Sequence, residues 1–246
     1  MTARVAEIWR HPIKGIGREA LNSVTLDAGR PLPGDRAWAL LHDNAADAEG
    51  WQARRNFLVV ASGPRLAQIS AETLAHGRIA LSHPDRPRIE ISPLEDEAAL
   101  IDWVLPLWPA DRPAPRRLVQ APPQGMADNG AAQLAILNRA SLAELGEAVG
   151  QVLDIGRFRG NLVLDGLAPR EEFDWIGREL AIGDIRLAVT DRIERCRATE
   201  ANPATGLRDA NILRALEDTR GHRDFGVYAT VRSGGFLTTD TPVTLI

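Results

Sequence analysis

From Ala3 to about Pro93, short runs of alternating apolar and polar residues follow one another along the chain. Ala3–Trp9, Ala20–Leu26 and Ala37–Leu41 show the two-residue repeat of a strand that buries one face. Short apolar runs predict three more strands, at Phe57–Val60, Arg78–Leu81 and Arg88–Ile91. Because clusters of Gly, Pro, Asp and Asn separate them, these strands predict a β-barrel or sandwich rather than alternating strands and helices.

Two capping boxes and one amphipathic segment predict three helices. Ser92-Pro93-Leu94-Glu95 predicts a helix that runs to about Leu105. Ser141-Leu142-Ala143-Glu144 predicts a second helix, with Gly150 as its end. The third is a short amphipathic helix over Asp209–Thr219.

A proline-rich stretch separates the strands at the N-terminus from a second set. Six prolines lie between positions 106 and 123, and this density favours a domain boundary. We expect domains at 1–115 and 116–246, and a mainly β fold with a few helices, a β-barrel-rich α+β class. The second part is predicted to contain strands at Gln133–Leu137, Arg157–Leu164, Ile185–Ile193, Phe225–Val231 and Pro242–Ile246.

Composition removes several classes of function. The net charge of −4 disfavours a general nucleic-acid binder, and a single cysteine excludes intramolecular disulfides and cysteine-rich zinc or iron–sulfur sites. No apolar run reaches the ~18 residues of a membrane span, and the N-terminus lacks the apolar block of a signal peptide. We expect a cytoplasmic protein with no membrane and no nucleic-acid partner.

The single cysteine, Cys196, opens a polar loop directly after a predicted strand. Arg195 and Arg197 flank it, and cationic neighbours favour the thiolate, the form that ligates soft metals or attacks electrophiles. On a strand the two arginines would face away from the sulfur, so their effect requires the strand to have ended. From composition alone, an inert core cysteine remains the alternative.

Two basic clusters predict an anion site. On a strand, Arg157, Arg159 and Asn161 would share one face. Guanidinium groups bind the oxygens of phosphates and other planar anions bidentately. Lys14, the chain's one lysine, would add a point charge, and Asp35 would orient Arg36. Solvated surface charge is the alternative for both clusters.

Several motifs together resemble the MOSC domain family. The pattern C-x-x-T-x-x-N-P-x-T-G begins at Cys196, and R-x-R-x-N precedes it from Arg157. Pro12-Ile13-Lys14-Gly15 and Gly34-Asp35-Arg36-Ala37-Trp38 resemble the β-barrel domain that often precedes a MOSC domain. Phe225–Ala229 and the closing T-D-T-P-V-T-L are similar to the family's last strands, so the resemblance spans nearly the whole chain.

The resemblance implies a molybdenum cofactor (molybdopterin) in a groove between the two domains. Cys196 would be the metal ligand and catalytic residue. Many relatives have serine where this chain has Gly15, whose backbone N–H would have to replace the hydroxyl. The expected cofactor-binding residues are Lys14, Gly15, Arg36, Arg159, Asn161, Arg195 and Thr199.

The family includes the mitochondrial amidoxime-reducing component and the C-terminal part of molybdenum-cofactor sulfurases. The resemblance therefore implies an oxidoreductase that reduces small N-hydroxylated substrates. Because some relatives carry a C-terminal ferredoxin-like domain and this chain ends at Ile246, we expect electrons from a separate ferredoxin- or flavin-type protein. Two alternatives stay open: a sulfur carrier with a persulfide on Cys196, and a module that binds the cofactor without turnover.

Overall fold

The computed structural model describes residues 3–46 and 48–246, and over these residues the fold is mainly β, as predicted. No helix within the described ranges has both the length and the apolar character to cross a bilayer. Three α-helices are present: α1 (Glu97–Val104), α2 (Arg139–Val149) and α3 (Ile212–Arg220). The strands of the described residues are β1 (Arg4–Arg10), β2 (Ile13–Lys14), β3 (Glu19–Leu21), β4 (Ser23–Leu26), β5 (Trp38–His42), β6 (Ser70–Thr73), β7 (Ile79–His83), β8 (Arg86–Ile91), β9 (Pro115–Gln120), β10 (Leu134–Asn138), β11 (Leu162–Asp165), β12 (Glu179–Ile182), β13 (Ile185–Glu194), β14 (Asp224–Ser233), β15 (Gly235–Thr238) and β16 (Val243–Leu245).

One large sheet organises the C-terminal half and includes the first strand of the chain. Its eight strands run in the order β16-β12-β13-β14-β10-β11-β1-β3, and β1 pairs antiparallel with β11. Alternate residues such as Val5, Leu164 and Val227 point into one buried core. Pairing β1 with β11 therefore anchors the N-terminal segment to the C-terminal half.

A second core lies between two three-stranded sheets and α1. The sheets have the orders β2-β5-β9 and β6-β7-β8. Leu40, Leu58, Leu81 and Trp103 are almost completely buried in this core. The candidate site lies at the junction between these two cores.

The predicted strand Phe57–Val60 is wrong. Phe57 forms only an isolated bridge with Leu41, and a turn begins at Val60. Leu58 is nonetheless fully buried, and its N–H donates to the Leu40 carbonyl at 2.9 Å. A short run of apolar residues indicates that these residues are buried, and a buried loop produces the same pattern as a buried strand.

The predicted strand Arg157–Leu164 is also wrong in its first half. The Asp154 carboxylate accepts a hydrogen bond from Gly156 N at 2.7 Å and starts a 3₁₀ turn over Ile155–Phe158. Arg159 then adopts a left-handed conformation, with φ of 49°. Arg157, Arg159 and Asn161 therefore do not share a strand face, and β11 begins only at Leu162.

Both predicted capping boxes are wrong, although both helices exist. Ser141 lies inside α2, and the Asn138 side chain caps the helix by accepting from Ala140 N at 2.9 Å. Helix α1 begins at Glu97, several residues after Ser92. The predicted end of α2 at Gly150 is confirmed, with φ of 79°. The other predicted strands and the third helix are confirmed with shifted ends, and Ala20–Leu26 is divided between β3 and β4.

Asn138→Ala should lower the free energy of unfolding by about 2–3 kcal/mol. The change removes the α2 cap and a 2.7 Å hydrogen bond to the buried Glu172 carboxylate. Asn211→Ala is the matched control, because Asn211 precedes α3 and its side chain makes no capping bond. Urea unfolding should show the control within about 0.5 kcal/mol of wild type. Equal losses in both variants would contradict the assigned cap.

Candidate functional site

A partly enclosed cleft with a cavity volume of about 150 Å³ lies between the N-terminal and C-terminal halves. We call it the central cleft. The eight residues expected to bind the cofactor or its metal all line it: Lys14, Gly15, Arg36, Arg159, Asn161, Arg195, Cys196 and Thr199.

Cys196 lies just beyond the end of a strand, where its side chain can face the cleft. Strand β13 ends at Glu194, and Cys196 is half-buried with a free thiol. Its carbonyl accepts hydrogen bonds from Thr199 N at 3.1 Å and Thr199 Oγ1 at 3.0 Å. These bonds close a 3₁₀ turn over Arg197–Glu200, so Thr199 fixes the loop that presents the thiol.

Only one of the two arginines beside Cys196 belongs to the cleft. The Arg195 guanidinium donates to the carbonyls of Phe225, at 2.7 Å from Nε, and Phe158, at 2.9 Å. The same two residues place their rings 5.8 and 5.5 Å from it. Burial lowers the pKa of Arg195 to about 10. Arg197 instead points to solvent and pairs with Glu200 at 3.2 Å.

Arg36 is fixed by a buried ion pair beneath the cleft. Its guanidinium donates to the Asp35 carboxylate and to the Arg159 carbonyl, the latter at 2.9 Å. Burial alone would raise the pKa of Asp35, but the Arg36 charge and hydrogen bonds from His11 hold it well below its usual range. Burial and the nearby Arg159 charge lower the pKa of His11 to about 3, so this imidazole stays neutral. The expectation that Asp35 orients Arg36 is confirmed.

Arg159 has a strained backbone and an uncompensated charge. Its φ of 49° lies in the left-handed region that favours glycine, as does the φ of 50° at Arg36. Its guanidinium donates to the Gly17 carbonyl at 3.2 Å. Burial, with a smaller contribution from the Arg36 charge, lowers the pKa of Arg159 to about 9.

Arg159 and Arg195 share one property that other cleft cations lack. Within residues 3–46 and 48–246, neither guanidinium has a carboxylate within 4.0 Å, whereas Arg36, Lys14 and Arg157 each pair with an aspartate. Even partial burial of an unpaired charge is costly, so these half-buried groups suit an anionic ligand. The buried Nε of Arg157, which also lines the cleft, has no hydrogen-bond partner among the described atoms. With the free thiol, this donor set fits an anion joined to a soft metal.

Lys14 and Gly15 form one wall of the cleft at the end of β2. The buried Lys14 ammonium donates to the Met126 carbonyl at 2.7 Å and to the Asp128 carboxylate. Burial lowers the pKa of Lys14, and Asp128 opposes this change. Gly15 has φ of 74°, and a Cβ there would overlap the Leu58 carbonyl oxygen. Glycine therefore suits this backbone, and a serine would require a different local path.

Asn161 is committed mainly to holding the fold together. Its Oδ1 accepts from Ala135 N at 3.0 Å, and its Nδ2 donates to the Trp9 carbonyl at 3.2 Å. One of the two amide hydrogens is left for a ligand. The structure thus gives Asn161 a positioning role between β1 and β10, and cofactor binding by its side chain stays a prediction.

Other cleft residues had no recognised sequence signal or received another role. Arg157 stabilises the loop that follows Cys196, because its guanidinium donates to the Glu200 carbonyl at 3.0 Å and to the Asp209 carboxylate at 2.6 Å. Tyr228, the only tyrosine of the chain, belongs to a run noted only for its resemblance to a strand. Asp128 belongs to an irregular loop, where no periodicity marks it. The further polar and charged lining residues are Arg54, Asp128, Asn129, Gln133, Glu194 and Tyr228.

Comparison with protein families gives two matches that follow each other along the chain. The model described as "MOSC N-terminal beta barrel domain" matches residues 2–104, and the model described as "MOSC domain" matches residues 122–244. The second match alone covers half of the chain. The predicted boundary between residues 115 and 116 falls between the two ranges and stays a prediction.

Curated relatives align with less than half of the chain. A "Molybdenum cofactor sulfurase" of Anopheles gambiae is 36% identical over 129 residues, which are 48% of this chain and 16% of the mosquito protein. A "Mitochondrial amidoxime reducing component 2" of Bos taurus is 31% identical over 122 residues, 44% of this chain and 35% of the bovine protein. The alignments thus span only a minor part of these relatives.

Solved structures give more distant similarities. The YuaD protein from Bacillus subtilis has a TM-score of 0.47 at 11% identity, covering 100% of this chain and 96% of that one. YiiM from Geobacillus stearothermophilus has a TM-score of 0.35 at 21% identity, covering 46% of this chain and 53% of that one.

Arg159→Gly should be more stable than Arg159→Ala by about 1 kcal/mol. Both variants lose the guanidinium, but only glycine relieves the left-handed backbone at this position. Urea midpoints of the two ligand-free variants measure the difference. If alanine is as stable as glycine, position 159 is not strained in solution.

Affinity of the ligand-free protein for inorganic phosphate should fall above pH 9. A bound anion stabilises protonated Arg159, whose pKa in the free protein is about 9. Below that pH this arginine adds no pH dependence. Above it, affinity should decrease by up to about tenfold per pH unit. Calorimetric titration from pH 7.5 to 10.5 measures this, and Arg159→Ala should show a shallower decrease. Wild-type affinity that stays constant to pH 10.5 would contradict the assignment.

Proposed function

Because this chain belongs to the MOSC family, with a MOSC N-terminal β-barrel domain ahead of the MOSC domain, we propose that its central cleft binds a molybdenum cofactor. We further propose that the protein is an oxidoreductase that reduces small N-hydroxylated compounds. Relatives named as molybdenum cofactor sulfurases and as an amidoxime reducing component support the cofactor. The relative named as an amidoxime reducing component also supports the proposed reaction.

One observation supports the proposal most strongly: a free thiol shares a cleft with two half-buried guanidinium groups, those of Arg159 and Arg195, that have no carboxylate partner within the described residues. A phosphate group carries nearly two negative charges at neutral pH. Bound beside Arg159 and Arg36, it would compensate the unpaired charge of Arg159. The Cys196 thiolate would ligate the metal of the same cofactor.

Each residue has a distinct part in the proposed reaction. When bound, the cofactor supplies the two-electron redox chemistry that removes oxygen from an N–O bond. Arg159, Arg36 and Lys14 would hold the phosphate and Cys196 would ligate the metal, while Thr199 keeps the thiol loop in place. The balance is R–NHOH + 2 e⁻ + 2 H⁺ → R–NH₂ + H₂O. The electrons come from a separate ferredoxin- or flavin-type protein.

Sulfur transfer is the second candidate function. The half-buried Cys196 thiol is reachable from the cleft, which protects a persulfide from bulk solvent while leaving it open to an acceptor. Several similar proteins are named as molybdenum cofactor sulfurases. A sulfur adduct on Cys196 that passes to an acceptor would favour this candidate, and mass spectrometry of freshly isolated protein detects it.

Protein purified from a molybdenum-replete host should contain molybdenum and pterin in equal amounts. Elemental analysis and pterin fluorescence measure both. Arg159→Ala should lose pterin and metal together, since a charged hydrogen bond contributes roughly 1.5–3 kcal/mol. Arg197→Ala, whose side chain points to solvent, is the control and should retain both. Wild-type protein that holds neither would overturn the proposal.

Cys196→Ala should abolish N-hydroxyl reduction while the protein remains folded. X-ray absorption at the molybdenum edge should show one sulfur ligand fewer than in wild type. Cys196→Ser, which keeps the size of the side chain, should show the same loss of a sulfur ligand. An unchanged number of sulfur ligands would exclude Cys196 from the metal.

A further inference from the structure

The Asp128 carboxylate is placed differently from the other aspartates that pair with cleft cations. The side chain of Asp35 is 5% exposed beneath Arg36, and that of Asp209 is 32% exposed beside Arg157. The side chain of Asp128 is 48% exposed, although its partner, Lys14, is 4% exposed. A buried ammonium therefore relies on a carboxylate that solvent and ligands can reach.

The segment that carries Asp128 lies outside the strands and helices. Residues 125–130 lie between β9 and β10, and Met126 anchors their start, because it is fully buried and its N–H donates to the Arg36 carbonyl at 3.0 Å. Gly125 and Gly130 bracket the segment with φ of 78° and 69°, values that glycine adopts without strain. Trp51 holds the segment from the outside, because its indole N–H donates to the Ala127 carbonyl at 2.8 Å.

Binding of a phosphate group creates a conflict at Asp128. Lys14 and the nearby Arg54, whose guanidinium lies 3.8 Å from the second Asp128 oxygen, are both part of the cleft lining. An incoming dianion attracts both cations and repels the carboxylate that neutralises them. Replacing one carboxylate charge by a phosphate keeps Lys14 compensated, so the exchange leaves no buried charge without a partner.

We propose that Asp128 is an exchangeable counter-ion of Lys14, which leaves the ammonium when a phosphate group enters the central cleft. Asp128 thereby lowers the affinity of the cleft for phosphate groups, and it compensates the charge of the buried Lys14 ammonium when no phosphate is bound. The inference rests on the proposed function only for the identity of the natural ligand. The exchange itself concerns any phosphate monoester or inorganic phosphate.

The single lysine of the chain makes the exchange directly observable. Full-length protein produced without cofactor, free of added lysines and labelled with ¹³C-lysine, should give one Lys14 Cε signal. Titration with inorganic phosphate at constant ionic strength should shift this signal, with the dissociation constant that calorimetry measures. Phosphate that binds without moving the Lys14 signal would overturn the proposal.

Asp128→Asn should bind inorganic phosphate at least about tenfold more tightly than wild type, because it removes the competing charge. Asp128→Ala should behave in the same way if the amide disturbs the loop. Asp218→Asn is the matched control, since it removes one exposed carboxylate on α3, outside the cleft lining, and should leave affinity unchanged. Equal or weaker phosphate binding by both Asp128 variants would overturn the proposal.

These titrations contain no molybdenum. If these titrations fail but protein from a molybdenum-replete host contains molybdenum and pterin, the inference is lost and the proposed function stands. Conversely, a protein without metal or pterin whose Lys14 still exchanges partners would retain the inference and lose the proposed function.

Discussion

The fold holds two half-buried, positively charged guanidinium groups that have no carboxylate partner among the described residues, and the rest of the site depends on this constraint. Arg159 and Arg195 are held by backbone carbonyls of Gly17, Phe158 and Phe225. Carbonyl dipoles orient a guanidinium but do not neutralise it, so each half-buried group keeps a net charge with reduced access to water, at a cost in stability. An anion in the cleft would relieve this cost.

The two halves of the chain build this positive cleft jointly. Arg36, from the N-terminal half, donates to the Arg159 carbonyl at 2.9 Å, and Arg159 donates back to Gly17 at 3.2 Å. Strand β1 also lies within the large C-terminal sheet. Because protein groups make these bonds, the cationic groups are positioned by the fold itself, which lowers the entropy cost of binding a ligand.

From the sequence, the set of residues that line the cleft was predicted more accurately than the backbone conformation at those residues. The motifs brought Lys14, Arg36, Arg159 and Cys196 to one cleft, because their resemblance to a family encodes spatial proximity. The prediction that Arg159 shares a strand face with Arg157 and Asn161 was wrong. A pattern of alternating hydrophobic residues does not reveal a turn capped by an aspartate or a residue with a left-handed backbone. Asp128 was missed for a related reason: its importance comes from a contact with a residue 114 positions away.

The most direct test of the account is a crystal structure of protein from a molybdenum-replete host, with anomalous data at the molybdenum edge. The account predicts one anomalous peak within bonding distance of Cys196 Sγ, joined by continuous density to a phosphate group at the Arg159 guanidinium. A molybdenum peak elsewhere, or a filled cleft whose ligand leaves Arg159 and Cys196 uncontacted, would contradict it.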